Sequence, residues 1–242
     1  IRKCSFADDV SPKPYVSTRI KKTPLNVKEV FLKNVKIYLK NLEEFKHSKL
    51  EKSTIISNDA RDIKNKKYDG KVKLAVTSPP YINAFDYVRS LRLENAWLGY
   101  YGDSTITNVK RKQIGSETIY HKEYSEMEDS GIKKLDKIVE KISKKDKKRA
   151  YVVQKFFSDM SKNMIEIKRL LQKNGHYVMV VGNSNIRGIE VPTNELLLEI
   201  AKINGFDLEN MFSYVIKNRY LRIPRSGKGG LIKKDWMIDL VK

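Results

Sequence analysis

The chain has 242 residues, with 49 lysines and arginines against 29 acidic residues, and carries a formal net charge of +20. A field of this sign attracts phosphate backbones and favours a nucleic-acid partner, although lysine-rich usage can also reflect the source organism. The single cysteine, Cys4, excludes an internal disulfide, and no apolar run reaches the roughly 18 residues of a membrane span.

The first part of the chain, residues 1–50, is predicted to be an N-terminal arm. Its prolines favour extended backbone, and residues 27–50 then have the apolar spacing of an amphipathic helix. Residues 53–57 include the β-branched Thr54, Ile55 and Ile56 and predict a short strand that ends in a polar turn containing Asp59. An acidic residue at a strand end can accept a hydrogen bond from a ribose hydroxyl, or it can be an ordinary solvated turn residue.

A second, valine-rich strand is predicted over residues 72–76, with the texture of a central parallel strand buried on both faces. It continues through Thr77 into the tetrapeptide Ser78-Pro79-Pro80-Tyr81. Two consecutive prolines cannot extend the strand, because neither has an N–H to donate to the ladder. The tetrapeptide is therefore predicted to leave the carboxyl end of the strand as a stiff loop, where open α/β sheets bind ligands.

The residue types in this loop suit the alkylation of an exocyclic amino group on a nucleobase. Such a nitrogen becomes nucleophilic when fixed acceptors hold both of its N–H bonds. The Ser78 hydroxyl is one acceptor, and the Pro79 carbonyl, on a backbone with restricted φ, is a second. The Tyr81 ring offers a face for base stacking, worth roughly 1–3 kcal/mol per base.

At these residues the chain resembles the DNA amino-methyltransferases, which make N4-methylcytosine and N6-methyladenine from S-adenosylmethionine. Their catalytic motif is Asp, Asn or Ser followed by Pro-Pro and an aromatic residue, and the serine form is similar to that of most N4-cytosine enzymes. The resemblance implies catalytic roles for Ser78, Pro79, Pro80 and Tyr81. It also implies a cytoplasmic enzyme of a restriction-modification or related system, with DNA as its partner.

The resemblance also has implications for cofactor binding and for DNA binding. It implies S-adenosylmethionine as the cofactor, with Asp59 and Thr77 on the cofactor side, and Asn83 just after the catalytic motif on the DNA side. Three arginines, Arg219, Arg222 and Arg225, alternate with apolar residues further on. They are interpreted either as phosphate or base contacts or as a basic loop held by surface ion pairs, and we expect the former. The three histidines share no metal-ligand spacing, so no metal site is predicted.

Residues 51–242 are predicted to form the catalytic core, interrupted by a basic insertion at residues 102–150. Within the insertion, Ile132, Leu135, Val139 and Ile142 mark a helix whose other face is crowded with lysine. A lysine-rich face is usually only solvated. Beside a base-modifying loop, it is also a candidate target-recognition region.

The carboxyl-terminal part of the core predicts strand, helix and strand in succession. Residues 176–181 read as a buried strand, and Pro192-Thr193 opens a helix that Thr193 caps and Gly205 ends. Residues 206–217 and 235–241 are predicted to be the antiparallel pair that closes a methyltransferase sheet. The predicted fold class is therefore α/β, a Rossmann-like methyltransferase sheet with helices on both faces, incomplete at its N-terminal, cofactor-loop end.

One expected element is missing from the sequence. The family holds the methionine end of its cofactor with a strand, a glycine-rich turn and a helix, and no such succession occurs here. We therefore expect this chain to be the catalytic-motif half of a split or truncated enzyme. The absent element would lie on an N-terminal segment upstream of residue 1 or on a separate subunit.

The sequence is also compatible with two other functions. One is an RNA base amino-methyltransferase with a similar loop, which the methyl acceptor, duplex DNA or structured RNA, would distinguish. The other is a non-catalytic DNA-binding subunit of a split methyltransferase. The sequence leaves cytosine N4 and adenine N6 both possible and does not give the recognition site.

Overall fold

The computed structural model describes residues 2–7, 16, 18, 21–46, 51–82, 86–102, 105–125, 127–217 and 232–242. The chain divides into two compact units. The first unit comprises Ile1–Ile55 and Asp86–Val109, and the second comprises Ile56–Phe85 and Lys110–Lys242. No helix among the described residues is long and apolar enough to cross a membrane.

The longer described elements of the first unit are helices. Its elements are α1 (Val27–Lys46), α2 (Tyr87–Ser90), α3 (Arg92–Trp97) and the beginning of α4 (Ile106–Arg111). The Asn26 side chain caps α1 by accepting hydrogen bonds from the backbone N–H groups of Lys28 and Glu29, at 2.9 and 3.2 Å. The predicted amphipathic helix is thus confirmed from Val27 to Lys46, but none of its residues is buried.

The second unit contains the sheet and the remaining helices. Its strands are β1 (Val72–Thr77), β2 (Leu171–Gly182), β3 (Ser184–Ile186), β4 (Ile189–Val191), β5 (Asp207–Val215) and β6 (Lys234–Val241), and its longer helices are α5 (Lys133–Ser143), α6 (Lys147–Leu170) and α7 (Thr193–Ile203). The main sheet has the order β1-β2-β6-β5, and β3 and β4 form a separate hairpin. Strands β1 and β2 are parallel, whereas β6 is antiparallel to both of its neighbours. The α/β class is confirmed, and so is the antiparallel pair that closes the sheet.

The core lies between one face of this sheet and the helices α5, α6 and α7. Tyr177 and Met179 of β2 and Ile238 of β6 are fully buried there against helix residues such as Phe156 and Leu196. Burial of these side chains is the dominant favourable term in holding sheet and helices together. Alternation along β2 places Val178 and Val180 on the opposite face, where they are only partly buried.

Two predictions about the strands are wrong. Residues 53–57 form no strand: Ile55 is exposed, and the Ser57 hydroxyl donates instead to the Asp59 and Asp62 carbonyls, which competes with ladder formation. Strand β1 is not a central strand buried on both faces. It is an edge strand of the described sheet, and Leu74 and Val76 on one face are 56% and 66% exposed.

The helices differ from prediction mainly at their ends. The lysine-rich helix with buried Leu135, Val139 and Ile142 is confirmed, but it ends at Ser143, because Asp146 caps a new helix by accepting from the Arg149 N–H at 3.0 Å. Helix α7 is also confirmed. Its capping residue is Pro192, not Thr193, since the Thr193 hydroxyl donates to the Val191 carbonyl instead.

Candidate active site

The tetrapeptide Ser78–Tyr81 lies at the carboxyl end of β1, as predicted. Thr77, half-buried at the end of β1, pairs with Met179 of the parallel β2, which continues to Gly182. The Ser184 hydroxyl, just beyond β2, donates to the Ile82 carbonyl at 3.3 Å and fastens the end of the loop. The loop therefore leaves the sheet at the edge where parallel strands present their ligand sites.

The burial of the four residues divides the loop into an anchor and an accessible part. Pro79 is buried and Pro80 is half-buried, whereas Ser78 is exposed. Proline has a restricted φ even in the unfolded chain, so fixing the backbone around a buried proline costs little conformational entropy on folding. Ser78 is thus exposed on a stiff support, which is the arrangement that a preorganised acceptor requires.

Tyr81 is fixed by a residue that the sequence did not reveal. Its hydroxyl donates to Asp235 Oδ1 at 2.9 Å, and Asp235 is only 8% exposed. The two residues are 154 positions apart, and they meet because β6 begins beside the carboxyl end of β2, where Asp235 pairs with Gly182. The sequence places Asp235 only in a closing strand, and no local pattern separates it from any other strand aspartate.

The first part of the predicted insertion approaches the same loop. A Cβ on Gly115, whose φ is +73°, would lie 3.8 Å from the Tyr81 carbonyl oxygen. Nearby, Arg111 donates to Glu123 at 2.8 Å and its guanidinium lies 3.8 Å from the centre of the Tyr120 ring. The Arg111 hydrogen bond lowers the pKa of Glu123 and in turn raises the pKa of Arg111. This segment is therefore held by charged and aromatic contacts.

Asp59 is engaged in an ion pair. Both of its carboxylate oxygens accept from Arg61, at 2.9 and 2.7 Å, and this hydrogen bonding lowers the Asp59 pKa from 3.8 to about 2. Arg61 also reaches the buried Asp159 on α6 at 3.0 Å and donates to the Lys112 carbonyl. The predicted cofactor role of Asp59 stays a prediction, and a ribose hydroxyl would have to share this carboxylate with Arg61.

The remaining predicted site residues cannot be placed. Asn83, Arg219, Arg222 and Arg225 lie outside the residues that the structure describes. A separate cleft of about 790 Å³ runs along α6, lined among others by Tyr151, Lys155 and Asp159 and by none of the motif residues. In this cleft the buried carboxylate of Asp159 is already neutralised by Lys155 and Arg61, at 2.7 and 3.0 Å.

Comparison with known proteins agrees with the class that the motif suggested. No family model matches the chain. The chain is 27% identical over 217 residues to the Type II methyltransferase M.MvaI of Kocuria varians. The matched region covers 82% of this chain and 46% of that protein. The chain is also 28% identical over 151 residues to the Type II methyltransferase M.AvaI of Nostoc sp. PCC 7120. This match covers 56% of this chain and 31% of that protein. The resemblance to methyltransferases is thus confirmed at the level of the class.

The chain spans about half or less of the length of these relatives. Among solved structures it is similar to an inferred DNA modification methylase of Thermus thermophilus, including a form complexed with S-adenosyl-L-methionine. That form is 17% identical, has a TM-score of 0.38, and the match covers 76% of this chain and 53% of the other. A TM-score of this size is too low to assign a fold.

Proposed function

We propose that this chain carries the catalytic motif of an S-adenosylmethionine-dependent DNA methyltransferase that modifies an exocyclic amino group, cytosine N4 first and adenine N6 second. One observation carries the proposal: the exposed residue Ser78 and the anchored Tyr81 ring occupy the carboxyl end of β1. The sequence relationship to Type II methyltransferases and the net charge of +20 support it. A restriction-modification system is the setting that the relatives' names favour.

The chain's own residues act on the amino group. The target base leaves the helical stack, at a cost of a few kcal/mol, and stacks against Tyr81. Ser78 Oγ accepts one amino hydrogen and the Pro79 carbonyl accepts the other, so the nitrogen lone pair turns out of conjugation with the ring. No strong base is required, because the acceptors work through position and fixed dipoles.

The cofactor would supply the methyl group, but this chain alone does not fit it completely. The sequence has no strand, glycine-rich turn and helix for the methionine end, and Arg61 already occupies both oxygens of Asp59. We propose that a further segment, on the same polypeptide or on another, brings the missing turn.

The edge of the sheet supports this proposal. Among the described residues β1 pairs with β2 alone, so the other edge of β1 is open. Leu74 and Val76, on one face of the strand, are exposed to solvent. Exposed sheet edges with apolar side chains favour pairing with another strand. A parallel strand added there would end beside Ser78, at the carboxyl edge where α/β sheets bind their ligands.

The decisive experiment measures the product. Unmethylated plasmid DNA is incubated with S-adenosylmethionine and the complete enzyme, and the nucleosides are analysed by mass spectrometry. We expect 4-methylcytosine. Formation of 6-methyladenine would change the base but keep the reaction, whereas methylation of structured RNA alone, or of neither nucleic acid, would overturn the proposal. Calorimetry with the 242 residues alone tests the missing segment, because micromolar cofactor binding would contradict it.

A further inference from the structure

Asp235 is a buried carboxylate at the end of the sheet that carries the motif. It is the second residue of β6 and is 8% exposed. A carboxylate in this position needs hydrogen-bond donors to offset its lost hydration. It receives one from the Tyr81 hydroxyl at 2.9 Å.

A second tyrosine lies against the same carboxylate. Tyr214 of β5 is the cross-strand partner of Asp235. Tyr214 is 46% exposed, and partial desolvation, the negative charge of Asp235 and a hydrogen bond to Asp235 raise its pKa. Asp235 therefore joins the catalytic loop to the two antiparallel strands that close the sheet.

The backbone opposite Asp235 leaves room for the Tyr81 ring. Asp235 pairs with Gly182 in the β2–β6 ladder. A Cβ on Gly182 would lie 3.1 Å from Tyr81 Cε1, 3.2 Å from Asp235 Oδ1 and 2.7 Å from Ile232 Cγ2. Glycine at this position lets the ring lie directly against the end of β2.

We propose that Asp235 is a positioning residue, which, through the Tyr81 hydroxyl and with the space left by Gly182, fixes the angle of the ring against which the target base stacks. This inference rests on the proposed function and deepens it. A tyrosine held only by its Cα–Cβ bond samples several rotamers, whereas one whose hydroxyl is also bound is confined to one. Stacking on a confined ring costs less entropy when the base arrives.

The activity test uses the hydroxyl and the carboxylate as a pair. A hydrogen bond to a charged group contributes about 1.5 kcal/mol or more, so Tyr81→Phe and Asp235→Ala should each slow methyl transfer by roughly tenfold. The double variant should be no slower than either single variant. Asp235→Asn keeps an acceptor oxygen and should recover part of the lost methylation rate. Gly182→Ala should slow methyl transfer, because the added Cβ would crowd the Tyr81 ring. Effects that multiply in the double variant would overturn the proposal.

Asp239 provides the matched control. It lies on the same strand and the same face as Asp235, and its Oδ1 is 2.9 Å from His176 Nδ1. Asp239→Ala should leave the methylation rate unchanged. If Asp235→Ala and Asp239→Ala lower the melting temperature equally and neither slows transfer below that temperature, then Asp235 has a structural role only, and the proposal is wrong.

A second readout separates this inference from the proposed function. In protein labelled with 3-fluorotyrosine, the Tyr81 resonance is assigned by its loss in Tyr81→Phe. Asp235→Ala should shift that resonance, and Asp239→Ala should not. A shift without any methylation by the wild-type enzyme would refute the function and leave the interaction standing. Methylation that is insensitive to Asp235, with no shift, would refute the inference and leave the function standing.

Discussion

At the scale of single residues, the hydroxyl of the exposed Ser78 is the group on which the proposed chemistry depends most. Ser78→Ala removes one of the two acceptors for the amino group and leaves the buried Pro79 in place. The loss of one transition-state hydrogen bond of this kind lowers rates by roughly 10²–10³. We expect a decrease of that size in nucleoside methylation by the complete enzyme, with an unchanged circular dichroism spectrum.

Ser158 is the control for this substitution, because it is exposed on α6 and belongs to no part of the proposed site. Ser158→Ala should methylate at the wild-type rate. If the turnover of Ser78→Ala stays within about threefold of wild type, the loss is far smaller than the removal of one such acceptor would cause. That result would rule out the proposed role of the hydroxyl.

The ion pair between Asp59 and Arg61 makes a prediction about pH. The Asp59 pKa is lowered from 3.8 to about 2 in the folded chain, chiefly by the Arg61 hydrogen bond. A lowered carboxyl pKa stabilises the fold above the unfolded value, and this contribution disappears as the pH falls from about 4 to about 2. Asp59→Asn should therefore flatten the dependence of the unfolding free energy on pH in that window.

Asp62→Asn is the comparison for the pH measurement. Asp62 lies 3.7 Å from Lys64, and both side chains are largely exposed, so solvent screens their interaction. Urea unfolding at several pH values should give the wild-type slope for this variant. If both variants follow the wild-type curve, the Asp59–Arg61 pair contributes nothing to the pH dependence.

The sequence identifies only the local part of the candidate site. Ser78, Pro79, Pro80 and Tyr81 are consecutive, so their chemistry can be read directly from the chain. The partner of Tyr81 cannot be found this way, because Asp235 is 154 residues away and the strand order brings it near. Asp59 is visible in the sequence as an acidic turn residue, but its occupation by Arg61 is a matter of side-chain geometry.

At the scale of elements, the apolar stripe of an amphipathic helix predicts the structure well. Strands are predicted less well, because they depend on neighbouring elements that are distant in the sequence. Helix α7 and the lysine-rich α5 are specified by their own apolar stripes. Residues 53–57 include three β-branched side chains but form no strand. In β1 the valine-rich texture predicts burial on both faces, yet one face is exposed because no described element covers Val76.

The open face of β1 leads to a prediction about assembly. Val76 is 66% exposed, so Val76→Lys should change the unfolding free energy of the 242 residues by no more than about 0.5 kcal/mol. If a strand and helix carrying the cofactor turn pack on this edge, the same lysine would bury a charge there. We therefore expect Val76→Lys to weaken S-adenosylmethionine binding by the complete enzyme, measured by calorimetry.

An exposed valine on the other edge strand serves as the control. Val215 of β5 is 57% exposed, and Val215→Lys introduces the same charge far along the strand order from β1. It should bind the cofactor like the wild type. Equal cofactor affinity in Val76→Lys and Val215→Lys would show that nothing docks on the β1 edge.

At the scale of the whole molecule, the net charge of +20 predicts DNA binding that weakens steeply with salt. Two basic groups are candidates for the DNA-binding surface: the arginine cluster Arg219, Arg222 and Arg225, outside the described residues, and four lysines at the junction of α5 and α6, Lys144, Lys145, Lys147 and Lys148. Two of these lysines already have protein partners. Lys144 pairs with Glu140 at 2.8 Å, and Lys145 donates to the Arg187 carbonyl at 3.1 Å.

We therefore expect the arginine cluster to contribute more to DNA affinity than the four lysines. Replacing the three arginines with glutamine should weaken binding and reduce the slope of log K against log salt by roughly one unit for each phosphate that is no longer neutralised. Replacing the four lysines in the same way should change that slope less, because partly engaged or solvated lysines release fewer counterions. Fluorescence anisotropy with duplex DNA over a range of salt concentrations measures both. A triple arginine variant with wild-type affinity and slope would move the DNA surface to the insertion around Gly115, which lies beside the Tyr81 carbonyl.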